Sequence, residues 1–264
     1  MQRFETLKIT RAGAVATLAV DRPKALNALN SQVFREVIAA CRALEADPGL
    51  RALVVTGTGE RAFVAGADIR EMAEADGEAA VAQTRLGMEM YDRLRRLPVP
   101  VIASIRGYAL GGGLLLAMAA DVRIAGERAV FGYPEITIGI FPGTGGTVLM
   151  ERVFGSSLAR ALCLTGDRFD AARAYALGFL HRLVPDAELE AETAALAERL
   201  AGYNQVAVRA VKRVLDASLE GSFAAAREAE TEAYRAVFED PNAREGLTAF
   251  LEKRAPRYRR EDEA

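Results

Sequence analysis

Short runs rich in β-branched residues at positions 15–20, 52–56 and 99–105 alternate with segments of helical apolar spacing, which restricts the chain to an α/β architecture. Between the first two runs, Val33, Phe34, Val37, Ile38, Cys41 and Leu44 fall on one helical stripe, and residues 78–97 repeat the pattern over a longer span. The order strand, helix, strand, helix, strand calls for crossover connections, which suit either a doubly wound sheet or a spiral of repeated turns. Beyond Ala171 the strand signal nearly vanishes. One short segment at 182–185 remains, and helices are expected at 203–219, 222–238 and 243–251. Asp170 and Gly178 bracket a helix as N-cap and terminator, and Asp240 followed by Pro241 opens the last one. We therefore expect a core over residues 1–200 and a helical C-terminal region over 201–264, whose face closes a site or joins subunits.

Composition removes several classes of function. With 34 Lys and Arg against 36 Asp and Glu, the net charge of -2 provides no field for gathering nucleic acid or an anionic membrane. An anionic ligand must be held locally. The most apolar stretch, residues 108–120, contains three consecutive glycines and falls short of the ~20 residues needed to span a bilayer. The first ten residues alternate polar and apolar side chains without the order of a secretory signal, so a cytoplasmic protein is expected. Cys41 and Cys163 lie in apolar helical stretches and read as reduced core thiols. A single histidine, His181, leaves little room for His-based triads, and no Cys-x-x-Cys, His-Glu-x-x-His or Walker signature is present. No metal site is expected. Gly143-Thr144-Gly145-Gly146 follows Phe141-Pro142 instead of a strand and lacks dinucleotide spacing, so no nicotinamide cofactor is expected either.

Two backbone-rich stretches carry the chemistry, residues 63–68 (Phe-Val-Ala-Gly-Ala-Asp) and 107–113 (Gly-Tyr-Ala-Leu-Gly-Gly-Gly). The second opens an apolar helical segment, so its N–H groups sit at a helix N-terminus, where unpaired donors and the dipole favour an anion. Glycine serves close packing and tight turns equally well, and either stretch alone fits that simpler purpose.

Taken with Pro134-Glu135-Ile136, the two stretches resemble the crotonase (enoyl-CoA hydratase/isomerase) family. The resemblance runs over nearly the whole chain: residues 21–29, 65–68, 107–113, 131–135, 139–143, 164–166 and 249–254 keep the family's order. It implies a spiral of strand-strand-helix turns with a helical C-terminal region used in trimers, and often hexamers. It also implies an oxyanion hole built from the backbone N–H groups of Ala67 and Gly112, gripping the carbonyl oxygen of an acyl-CoA thioester. Proton removal beside that carbonyl puts charge on the oxygen, and losing one such donor typically costs ~100 to 1,000-fold in rate.

Glu135 occupies the position of one of the two glutamates that family hydratases use, and its apolar neighbours Ile136 and Ile138 suit a carboxyl with a raised pKa. The second glutamate's position holds Leu115, which offers neither acceptor nor proton. Mitochondrial-type enoyl-CoA isomerases resemble the chain in this single-glutamate arrangement. The expectation is therefore isomerisation of an enoyl-CoA by Glu135. The alternatives are a hydratase of fatty or aromatic acid degradation with one glutamate, an acyl-CoA decarboxylase, and a catalytically silent assembly subunit. Asp68, Glu71 and Glu74 are candidate replacement acids, although Asp68 equally suits a helix cap.

For coenzyme A, a substrate portion instead of a cofactor, the resemblance points to Lys24, Arg70 and Lys253 at the phosphates. Ala25, Leu26, Ala67, Asp68 and Ile69 are the expected adenine contacts. Tyr133 and Phe141 are expected to flank the acyl group.

Overall fold

The computed structural model describes residues 3–259. β1 (Leu7–Ala12) and β2 (Val15–Val20) pair antiparallel around a turn that holds Gly13 at φ +56°. Helix α1 (Ser31–Glu45) follows, its N-cap Asn30 accepting from the Val33 N–H at 3.0 Å. From here the chain repeats one motif. The first repeat is β3 (Ala52–Gly57), β4 (Ala62–Val64), α2 (Ile69–Ala73) and α3 (Gly77–Arg95). The second is β5 (Val101–Ile105), β6 (Tyr108–Leu110) and α4 (Gly112–Ala119). The third is β7 (Val122–Gly126), β8 (Val130–Gly132), a 3-10 turn over Pro134–Ile138, α5 (Gly146–Phe154) and α6 (Ser156–Thr165).

Each repeat sends its first strand to one sheet and its second to another. After β9 (Arg168–Asp170), α7 (Ala171–Ala176) and β10 (Arg182–Val184), the sheets have the orders β1-β2-β3-β5-β7-β10 and β4-β6-β8-β9. Neighbours β3, β5 and β7 pair parallel, as do β4, β6 and β8. This is the expected spiral of strand-strand-helix turns. Its main core lies inside the spiral, where Leu53, Val55, Ala103 and Ile105 of the larger sheet meet the inner faces of α1, α3 and α4. On the opposite face Val54, Ile102 and Ile124 pack beneath α8 (Leu189–Ala201).

Helices α9 (Gln205–Glu220), α10 (Phe223–Glu239) and α11 (Pro241–Leu251) complete the chain. Asp170, Ser222 and Asp240 cap α7, α10 and α11 through their side chains. Among the described residues no helix is long and apolar enough to cross a membrane, and no group of His, Cys, Asp or Glu is placed to hold a metal ion. Cys41 and Cys163 are free and buried.

The sequence reading undercounts strands. β4, β6, β8 and β9 are three residues each, too short to display an alternating pattern, and β7 is interrupted by Arg123 and ends in the small residues Ala125 and Gly126. They hold as strands because neighbouring segments supply the hydrogen-bonding partners. The expected strand over residues 99–105 starts later, at Val101, because Pro100 lacks the N–H a ladder needs.

Candidate active site

Three functional groups leave the ends of three adjacent strands. Ala67 lies three residues beyond β4, Gly112 two beyond β6, and Glu135 three beyond β8, and these strands neighbour one another in the order β4-β6-β8. The loops that carry them depend on glycine where the chain turns: Gly66 has φ +119° and Gly111 has φ +52°. A Cβ on Gly111 would overlap Glu135 Oε1 and lie 3.5 Å from Gly66 Cα, so all three loops meet at one point. Helix α4 begins there. Gly113 lies so close to β4 that a side-chain carbon would overlap the Val64 carbonyl oxygen.

The meeting point opens into a cleft of about 740 Å³, lined among others by Leu29, Gly66, Ala67, Gly112, Leu115, Tyr133 and Glu135. No bond pairs the N–H of Ala67 or of Gly112 with an acceptor among the described residues. Gly112 is the first residue of α4 and has no intrahelical acceptor. Two free backbone donors therefore border the cleft beside a carboxyl group. Among the described residues Glu135 is the only carboxylate on the wall, and its Oε2 is buried without a hydrogen-bond partner. Burial raises its pKa to about 7, with a backbone hydrogen bond offsetting part of the effect. A carboxyl poised there exchanges a proton in either direction near neutrality.

Tyr91, on α3, donates from its hydroxyl to the Gly112 carbonyl at 2.8 Å and so fixes the start of α4. The sequence reading did not single it out. Its signal was the buried stripe Gly87, Met90, Tyr91 and Leu94, which forces a hydroxyl inward, where it needs a partner. Arg22 is the second omission. It pairs with Asp68 at 2.8 Å and donates to the Ala28 carbonyl, tying the early loop to the Ala67 turn. Asn27, 1% exposed with φ +59°, donates to the carbonyls of Thr58 and Ala62 and anchors the same loop.

Of the expected residues, Ala67, Gly112, Glu135 and Ile69 line the cleft, as do Tyr133 and Phe141. Lys24, Ala25, Leu26, Asp68, Arg70 and Lys253 are not on its wall. Leu26 and Asp68 still abut it: the Leu26 carbonyl accepts from the Ala65 N–H and the Asp68 N–H donates to Leu29. Lys24 and Arg70 are exposed nearby in sequence, and Lys253 is exposed past the end of α11 at φ +53°. Glu74 is exposed and off the cleft wall, and the other two candidate replacement acids are engaged elsewhere. Asp68 caps α2 and its pKa is lowered first by the hydrogen bond from Arg22, while Glu71 accepts from the Ser31 N–H and the Gln83 amide. Leu115 faces the cleft as an apolar side chain only 3% exposed.

A spiral of this kind defines a class of protein with solved structures of the same shape. An enoyl-CoA hydratase from Bacillus anthracis matches at TM-score 0.92 and 33% identity, covering 97% of this chain and 100% of that one. An enoyl-CoA hydratase subunit from Geobacillus kaustophilus matches at TM-score 0.92 and 36% identity, covering 98% and 100%. In sequence, a probable enoyl-CoA hydratase of Mycobacterium bovis is 40% identical over 97% of this chain and 98% of its own length. A crotonyl-CoA hydratase of Syntrophomonas wolfei is 36% identical over the same shares. A short-chain-enoyl-CoA hydratase of Clostridium acetobutylicum is 37% identical over 93% of this chain and 94% of its own. The sequence profile of the enoyl-CoA hydratase/isomerase family matches residues 10–261, and the chain belongs to that family of acyl-CoA enzymes.

Proposed function

We propose that the chain moves the double bond of an enoyl-CoA, with Glu135 as the single base and acid. The observation that carries this reading is that, among the described residues, Glu135 is the only carboxylate along the cleft while Leu115 stands where the family resemblance would put a second. The Glu135 carboxylate takes a proton from the carbon alpha to the thioester of a 3-enoyl-CoA. The electron pair moves onto the thioester oxygen, where the N–H groups of Ala67 and Gly112 receive the charge. The carboxyl then returns its proton to the gamma carbon, giving the conjugated 2-enoyl thioester. Leu115 keeps water from competing for the intermediate.

Coenzyme A itself would lie along the early loop and the turn at Ala67, with Lys24, Arg70 and Lys253 meeting its phosphates. Ala25, Leu26, Asp68 and Ile69 would border the adenine. No cofactor or metal is needed, since one carboxyl and two backbone donors account for every proton and charge in the step. The exposed apolar side chains of α9 to α11 suit self-association, as a trimer or hexamer.

Hydration is the second reading, favoured by the names of the relatives. In it Glu135 activates water without a second carboxylate. To separate the two, purified protein and Glu135→Gln are given a 3-enoyl-CoA and, separately, a 2-enoyl-CoA, and absorbance of the conjugated thioester is followed. Chromophore gained from the 3-enoyl substrate, lost in Glu135→Gln and not consumed from the 2-enoyl one supports isomerisation. Rapid loss of the 2-enoyl chromophore replaces it with hydration, and inertness toward both points to decarboxylation or a silent subunit.

A further inference from the structure

Leu115 borders a second cavity besides the cleft. This second chamber, of about 440 Å³, is bounded by α3, α5 and the end of α9. Met88, Tyr91, Leu115, Thr144, Gly145 and Val148 border both spaces, so the two adjoin across the leucine and its neighbours. Ala119, Leu149 and Leu219 extend the apolar lining, and the charged Asp92, Arg95, Arg152 and Glu220 border the far side. Asp92, Arg152 and Glu220 are exposed, which places that side at water.

A second observation points the same way. Ile69, Met88, Ile138, Phe141 and Val148 are all large, apolar and exposed, and all line the cleft, Met88 and Val148 the second chamber as well. A run of uncovered apolar side chains along two adjoining cavities suits the path of an apolar ligand. A short acyl group reacting beside Glu135 would leave the part beyond Leu115 unfilled.

We propose that the acyl site continues past Leu115 into the second chamber, and that the chain is built for thioesters of long apolar acyl groups whose far end lies between α3, α5 and α9. This rests on the reading that puts the thioester carbonyl beside Glu135. Leucine at position 115 then has a second purpose: it forms one apolar wall of the passage, where a carboxylate would put an unpaired charge against the chain. The crotonyl and short-chain names of two relatives make a short acyl preference the contrary outcome to test.

The test is calorimetric titration with the saturated, unreactive thioesters butanoyl-CoA and dodecanoyl-CoA, the latter below its micellar concentration. Each methylene buried is worth up to about fourfold in affinity, so dodecanoyl-CoA is expected to bind at least 30-fold tighter than butanoyl-CoA. Leu219 borders only the second chamber. Leu219→Trp, which fills it, and Leu219→Glu, which charges it without added bulk, should each weaken dodecanoyl-CoA at least tenfold and leave butanoyl-CoA within twofold. Equal affinity for the two thioesters, or variants that weaken both alike, would overturn the proposal. If neither thioester binds, the underlying placement of the thioester falls with it. A dodecanoyl preference in a protein that hydrates instead of isomerising leaves the extended site standing.

Discussion

The spiral and the helical layer that follows it bury their apolar residues to very different extents. In α4 every residue after Gly112 is buried, whereas α9 buries only Gln205 and α10 only Ala226 and Ala233. Phe223, Tyr234, Phe238, Phe250 and Leu251 are exposed, Phe250 by 81%. The spiral fills its own interior and holds its reacting groups with backbone. The layer is fastened to it in large part by charge: Arg95 pairs with Asp216 and Glu220, and Lys212 reaches Asp121 at 2.6 Å and the Val99 carbonyl at 2.9 Å. A region that completes its own burial tolerates little change. One that leaves an apolar surface open depends on what covers it.

The largest effect should come from the spiral. Gly113→Val drives a branched side chain into the Val64 carbonyl, and we expect destabilisation above about 4 kcal/mol, seen as loss of soluble protein or of a cooperative melt. Survival of the folded protein would show the spiral to be looser than its packing. Phe250→Asp with Leu251→Asp should leave the protomer folded and weaken self-association by about 100-fold or more, read from sedimentation against concentration. A monomeric parent protein would instead remove the contrast in what the two regions need.

Glu135 tests whether the spiral holds strain on behalf of chemistry. Its carboxyl has a higher pKa folded than unfolded, so the native state binds the extra proton between about pH 4.5 and 7, and stability falls as pH rises through that window. Glu135→Gln should therefore melt higher than the parent at pH 8, by on the order of 1 to 3 kcal/mol, and show no gain below pH 4.5. In the parent, kcat/KM should rise with pH to a plateau above about 7, because the base must be ionised. The smallest effect belongs to the fastening of the layer: Lys212→Met breaks a partly buried pair with Asp121, for an expected loss of about 1 kcal/mol in a denaturant titration.

How much was legible in the sequence followed how locally each feature is encoded. The glycine loops at 63–68 and 107–113 and the Pro134-Glu135 turn are dense, contiguous signals, and the structure brings them together. Helix limits came within about two residues where a cap was present, as at Asp170, Ser222 and Asp240. Three-residue strands stayed hidden because their identity lies in their partners. Tyr91 and Arg22 stayed hidden for a related reason: each is bonded to a segment far along the chain, Gly112 in one case and Asp68 in the other. The basic residues expected at coenzyme A are exposed and spread along the chain and none lines the cleft; of all the residues expected to hold coenzyme A, Ala67 and Ile69 reach its wall.

The placement of the reacting groups at the ends of β4, β6 and β8 also bears on how such a chain changes over generations. Neighbouring strands keep a spacing of about 4.8 Å whatever their side chains are, so the distance between the two backbone donors and the carboxyl behaves like the pitch of a screw thread. Helices α3 and α5, which wall the proposed acyl channel, belong to the first and third turns, and their channel-facing side chains such as Met88 and Val148 can change without altering that pitch. Selectivity and chemistry are thus inherited through separate parts of the same winding, and one can drift while the other stands still.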